Sequence, residues 1–118
     1  MRLVHVLTVL SAAIVAVVLT PPTGRCADAD AATVFVIKAE GGRFQPAQLQ
    51  VTANHPFKVQ VTSAEQTPIE FESFELRRER VIGPGETITV NMPALSPGTY
   101  KFFDDFHRDT PEGAIVAR

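Results

Sequence analysis

From Val34 to the C-terminus, apolar and polar residues alternate with a period of two, in short runs divided by glycine, proline and asparagine. Side chains two apart on a strand share a face, so the pattern predicts half-buried strands, and their number and turn spacing predict an all-β sandwich or barrel. Phe57, Val59 and Val61 face one way and Lys58, Gln60 and Thr62 the other. Ile69 and Phe71 alternate with Glu70 and Glu72, and Ile88, Val90 and Met92 alternate with Thr87, Thr89 and Asn91. Val34 to Ile37 is apolar on both faces, which predicts a central strand. Gly41-Gly42, Gly83-Pro84-Gly85 and Pro97-Gly98 mark turns. No segment here sustains a helical period, and neither a linker nor an internal repeat interrupts the pattern, so one domain is expected. Phe57, Val59, Val61, Phe71, Ile88, Tyr100 and Phe102 form the expected core, with Met92 beside them as packing rather than as a ligand.

The N-terminus follows different rules. Met1-Arg2 precedes an uncharged apolar run from Leu3 to Leu19, which Pro21-Pro22 breaks. Small-x-small triplets at Ala27-Asp28-Ala29 and Ala29-Asp30-Ala31 complete the pattern of a secretory signal peptide over residues 1–29, leaving a domain over residues 30–118. The first expectation is export, with no membrane insertion after processing, and the second is a retained membrane anchor. The single cysteine, Cys26, leaves with the signal, and Arg25 before it argues against a lipid-attachment site. About 88 residues remain, enough for one modest core that no disulfide assists.

A net charge of −2 argues against nucleic-acid binding, which needs clustered Lys and Arg. Arg77, Arg78 and Arg80 are the only basic cluster, and their interleaving with Glu75 and Glu79 predicts a solvated, self-paired hairpin face. Tyr100, Phe102 and Asp104 share the core parity. A carboxylate that follows two inward aromatics is cheapest at a strand end, because an unpaired buried charge costs several kcal/mol or more. Asp105, His107 and Glu112 in the following loop can join it there. No nucleophile elbow or cysteine nucleophile suggests covalent catalysis.

The order Phe44-Gln45-Pro46, Glu70-Phe71-Glu72-Ser73, Gly83-Pro84-Gly85, Ser96-Pro97-Gly98-Thr99-Tyr100 and Phe102-Phe103-Asp104-Asp105-Phe106-His107 resembles that of small bacterial cupredoxins, a Greek-key β-sandwich family. Tyr100, Phe102 and His107 fall where the family's final hairpin motif wants them, while Asp104 stands at the copper cysteine and Pro68-Ile69 at the usual Pro-His. Two of four ligand positions are changed. In detail the chain resembles the EfeO-type cupredoxin domain and the cupredoxin component of Ftr-type ferrous-iron transporters. That resemblance implies a periplasmic protein that binds copper or iron and helps oxidise ferrous iron or deliver it, with an iron permease and other periplasmic uptake components as partners.

Without a thiolate a blue-copper site is not expected, whereas carboxylates with one imidazole suit iron, copper(II), manganese or zinc. Glu72, Asp104 and His107 are the first candidate ligands, followed by Asp105, Glu70, Glu75 and Glu112. Each has a plainer reading. The glutamates can simply cover the wet face of a strand, and His107 can do no more than hydrogen-bond a neighbouring carboxylate. His55, in a turn without acidic neighbours, is not a candidate. The alternative to metal binding is a metal-free interaction module of the cell envelope.

Overall fold

Nine strands account for the regular structure of residues 32–118, the part of the chain that the computed structural model describes. They are β1 (Val34–Ala39), β2 (Phe44–Gln45), β3 (Gln48–Val51), β4 (Phe57–Ser63), β5 (Ile69–Ser73), β6 (Arg78–Ile82), β7 (Thr87–Met92), β8 (Gly98–Asp104) and β9 (Gly113–Ala117). The expected signal peptide and Cys26 lie outside the described residues. Two mixed sheets form, one ordered β2-β1-β4-β7 and the other β3-β9-β8-β5-β6. β1 runs parallel to β4 and β3 parallel to β9, and the remaining pairs are antiparallel. Gly41, Gly42 and Gly85 take positive φ, as turns at those positions require.

The two inner faces meet in one apolar core. Ile37, Val59, Val61 and Val90 enter it from the first sheet, and Ile69, Phe71, Ile82, Phe102 and Ile115 from the second. Period-two alternation is thus the physical origin of the sandwich: each strand offers one apolar face, and two such faces can be removed from water only against each other. At one end the core is aromatic. Phe44, Phe71 and Phe102 pack with ring centroids 5.1–6.1 Å apart. Met92 is buried in the core. His55 sits in an exposed turn, its Nδ1 2.9 Å from the Ala53 carbonyl oxygen.

Three expectations need correction. β1 is a central strand, between β2 and β4, as expected, but only one of its apolar faces is buried: Val34 and Val36 are exposed, because no layer covers the outer face of that sheet among the described residues. Ile88 and Tyr100 are only half-buried, and the Tyr100 hydroxyl donates to the Ser96 carbonyl at the sandwich edge. The arginines of the β5–β6 hairpin do not pair with its glutamates. Arg78 instead donates to the carbonyls of Asn91, Leu76 and Arg77, and Arg80 to that of Glu79.

Gly113 is fixed by packing rather than by its backbone. It lies opposite Phe102 in the β8–β9 ladder, and a Cβ there would come within 2.2 Å of Phe102 Cζ. Gly113→Ala is therefore expected to displace the aromatic end of the core and cost about 1–3 kcal/mol, the usual range for overpacking. Phe102→Ala should cost about 3–5 kcal/mol by opening a cavity. Urea denaturation checks both, and an unchanged midpoint in either variant would contradict the packing described.

Candidate metal centre

Asp104 ends β8 opposite Phe71, so its side chain shares the inner face with that ring. Only 6% exposed, it needs donors, and it has them. Oδ1 accepts the Glu70 backbone N–H at 2.9 Å and the Phe106 N–H at 3.1 Å, and Oδ2 lies 2.7 Å from His107 Nδ1. A ring nitrogen facing a carboxylate carries the proton, which leaves Nε2 as the nitrogen able to accept a bond or a metal. His107 in turn is held by its own backbone, whose N–H donates to the Asp104 carbonyl and whose carbonyl accepts both the N–H and the hydroxyl of Thr110. The pair lines a cleft of about 140 Å³ with Gly42, Glu65, Thr67, Asp109 and Thr110.

One residue on, the parity reverses. Glu70 and Glu72 flank the inward Phe71, and Asp105 follows the inward Asp104, so all three carboxylates face outward from the second sheet. The backbone fixes their meeting: the Asp105 N–H donates to the Glu70 carbonyl at 3.0 Å while the Glu70 N–H is bound to Asp104. One ligand oxygen from each of Glu70, Glu72 and Asp105 lies within 4.8 Å of the others. Glu79 joins them as the cross-strand partner of Glu72.

Electrostatics follow from this crowding. Desolvation pushes the Glu70 carboxyl above the usual range, and Glu79, Asp105 and Glu72 push it further. Desolvation raises Glu72 too, with Asp105 and Glu79 adding to it and Arg108 opposing. Glu70 is only 7% exposed, and among the hydrogen bonds of the described residues no backbone or basic donor reaches its carboxylate.

The structure therefore divides the seven candidates. Asp104 and His107 form an inward pair, and Glu70, Glu72 and Asp105 an outward triad. The remaining two are engaged with Lys101. The Glu75 carboxylate accepts the Lys101 N–H at 2.6 Å, and Glu112 pairs with the Lys101 ammonium at 3.0 Å and holds it above its ordinary pKa. Glu75 goes there because the β5–β8 ladder stops at Glu72 and Phe103, and the Lys101 backbone needs partners beyond it. Ser73 Oγ supplies the other by donating to the Lys101 carbonyl at 2.6 Å. Sequence reasoning missed Glu79, which only the hairpin register reveals, and Arg108, which sits 3.2 Å from Asp105.

Comparison with known proteins gives the frame for this geometry. Residues 9–117 match the family model of the cupredoxin-like domain, and the chain belongs to that family. An uncharacterized protein of Rickettsia prowazekii is 36% identical over 74 residues, covering 63% of this chain, and the chain spans 59% of that relative's length. The metal-binding domain of the Streptococcus pneumoniae Cu(I)-exporting P-type ATPase CopA, solved with Cu(I), superimposes with a TM-score of 0.62 at 20% identity, covering 72% of this chain and 84% of that one. Auracyanin A, a blue copper protein of Chloroflexus aurantiacus, gives 0.58 at 16% identity, covering 73% and 98%. At such identities these two structures establish the fold alone, which is the cupredoxin-like sandwich.

A blue-copper ion does not fit the inner end of this sandwich. Ile69, 1% exposed, offers no donor atom, the described residues contain no cysteine, and both oxygens of Asp104 are already engaged.

Two outcomes follow. Asp104→Ala orphans two backbone N–H groups and should cost about 2–4 kcal/mol, whereas Asp104→Asn keeps an acceptor and should cost less. Chemical denaturation checks this, and equal losses would contradict the acceptor role. The raised carboxyls carry a definite sign. Their folded pKa values exceed the unfolded ones, so their ionisation penalises the fold at neutral pH, and the penalty disappears as pH falls through the raised values. Glu72→Gln should raise the thermal midpoint at neutral pH, and its advantage over the parent should shrink on acidification. A variant no more stable than the parent at neutral pH would contradict the crowding.

Proposed function

We propose that this protein is an exported metal-binding cupredoxin of the bacterial periplasm that holds an iron or copper ion on its outward carboxylates during iron acquisition. The observation that carries the reading is the convergence of Glu70, Glu72 and Asp105, one of them almost fully buried, from β5 and from the turn after β8, whose backbones are hydrogen-bonded to each other. Desolvated like charges raise one another's proton affinity, and a bound cation relieves them by displacing the proton. Three oxygen donors, with Glu79 in reach, suit iron and accept copper(II), whereas they lack the thiolate that copper(I) prefers.

The copper half of the reading is supported by the neighbours, since the pneumococcal domain was solved with Cu(I) and auracyanin A is a blue copper protein. Iron, the permease and the other uptake components rest on the likeness of Glu-Phe-Glu-Ser and Phe-Phe-Asp-Asp-Phe-His to iron-uptake cupredoxins. Export rests on the residue 1–29 pattern. The ion would be ferrous iron held for oxidation or for delivery to a permease. Asp104 and His107 are not needed as ligands in this reading; they brace the loop that carries Asp105.

A second reading, an interaction module, draws on the exposure of Phe74, Val81 and Phe106, each at least half open to solvent.

Calorimetric titration of the exported domain with anaerobic iron(II) and with copper(II) tests the proposal. Glu72→Gln and Glu70→Gln are each expected to weaken binding by about tenfold or more, and His107→Ala, which removes only a brace of the loop that carries Asp105, to weaken it less. If His107→Ala abolishes binding and the glutamate variants retain it, the ion belongs in the inner cleft. If neither metal binds, the interaction module replaces the metal reading.

A further inference from the structure

Glu70, Glu72 and Asp105 gather negative charge on one face, and among the described residues the ion pair that reaches them is Arg108 Nη1 to Asp105 Oδ1 at 3.2 Å. Arg108 is held by more than that pair. Its guanidinium carbon lies 3.9 Å from the centroid of Phe103 and 6.0 Å from that of Phe74, and the two rings brace each other edge to face at 5.0 Å. Phe103 is the cross-strand partner of Glu72, so this aromatic platform adjoins the carboxylates on the same face of the sheet. Stacking suits the weakly hydrated guanidinium and lowers the entropy lost in keeping a long side chain in one position.

A second feature indicates that the group is built to receive a cation. Glu70 is 7% exposed, its side chain points into the triad, and no hydrogen-bond donor among the described residues reaches its carboxylate.

We propose that Arg108 is the built-in counter-cation of the carboxylate triad, and that a divalent metal ion binds by displacing it from Asp105. This rests on the metal-binding reading and adds how the site is regulated. With the metal away, the guanidinium partly neutralises the triad. When a metal arrives, Arg108 gives up Asp105 and keeps its seat on Phe103. When the metal leaves, Arg108 returns, so the carboxylates are never stripped of positive charge. A site that exchanges one cation for another holds its ion less tightly than a bare triad would, which suits a protein that must release what it binds.

Manganese(II), a hard divalent probe that favours oxygen ligands, tests this through the loss of its free-ion paramagnetic resonance signal on binding. Arg108→Gln removes the charge from an exposed position and is expected to bind manganese about tenfold more tightly than the parent, whereas Arg108→Lys should stay near the parent. Binding that becomes measurable only in Arg108→Gln supports the proposal equally. If the parent binds and Arg108→Gln binds no more tightly, the counter-cation role falls and the metal site stands. If none of the three proteins binds manganese, the proposal falls together with the metal reading.

Discussion

A carboxylate at the end of a core strand must find hydrogen-bond donors or be expelled from the interior, and Asp104 finds three. Two are backbone N–H groups from β5 and from the turn after β8, and the third is the ring of His107. These bonds tie the loop after β8 to the second sheet. Because the Glu70 N–H is one of the donors and the Glu70 carbonyl receives the Asp105 N–H, the backbone register of residues 70 and 105 is set by the same contacts. The positions of the outward carboxylates depend on it.

Strand parity puts the clustered acidic groups on the opposite face from this clamp. The inward positions that would serve a copper centre hold a buried isoleucine and an aspartate whose oxygens are engaged, so that end of the sandwich is closed by hydrogen bonds and packing. The neighbouring outward positions, one residue along each strand, carry the acidic groups. Their crowding works against the fold, as the raised carboxyls of Glu70 and Glu72 indicate. That cost makes sense for a group that meets a cation, and Arg108 on its aromatic seat supplies one within the chain itself.

Much of this was legible from alternation. The strand of Phe57, Val59 and Val61, the inward course of Tyr100, Phe102 and Asp104, and the outward turn of Asp105 all follow from a period of two. What alternation cannot carry is the partner. The donor to Asp104 is a backbone group 34 residues earlier, and a backbone N–H leaves no trace in residue type. Glu75 looks like Glu70 and Glu72 in sequence but lies past the end of the β5–β8 ladder, where it meets the Lys101 backbone. Glu79 enters only through the register of a hairpin whose turn places Arg77 at φ 51°. Val34 and Val36 misled for another reason: β-branched residues favour strands whether or not a layer covers them.

In the proposed reading the metal ion sits on the outer rather than the inner face of the second sheet. X-ray absorption spectroscopy of the iron-loaded protein tests it most directly, because imidazole and thiolate ligands leave signatures that carboxylates do not. The account predicts a shell of oxygen neighbours alone, at about 2.0–2.2 Å, without imidazole scattering. A shell containing imidazole nitrogen would take the ion off the carboxylate triad and contradict the account.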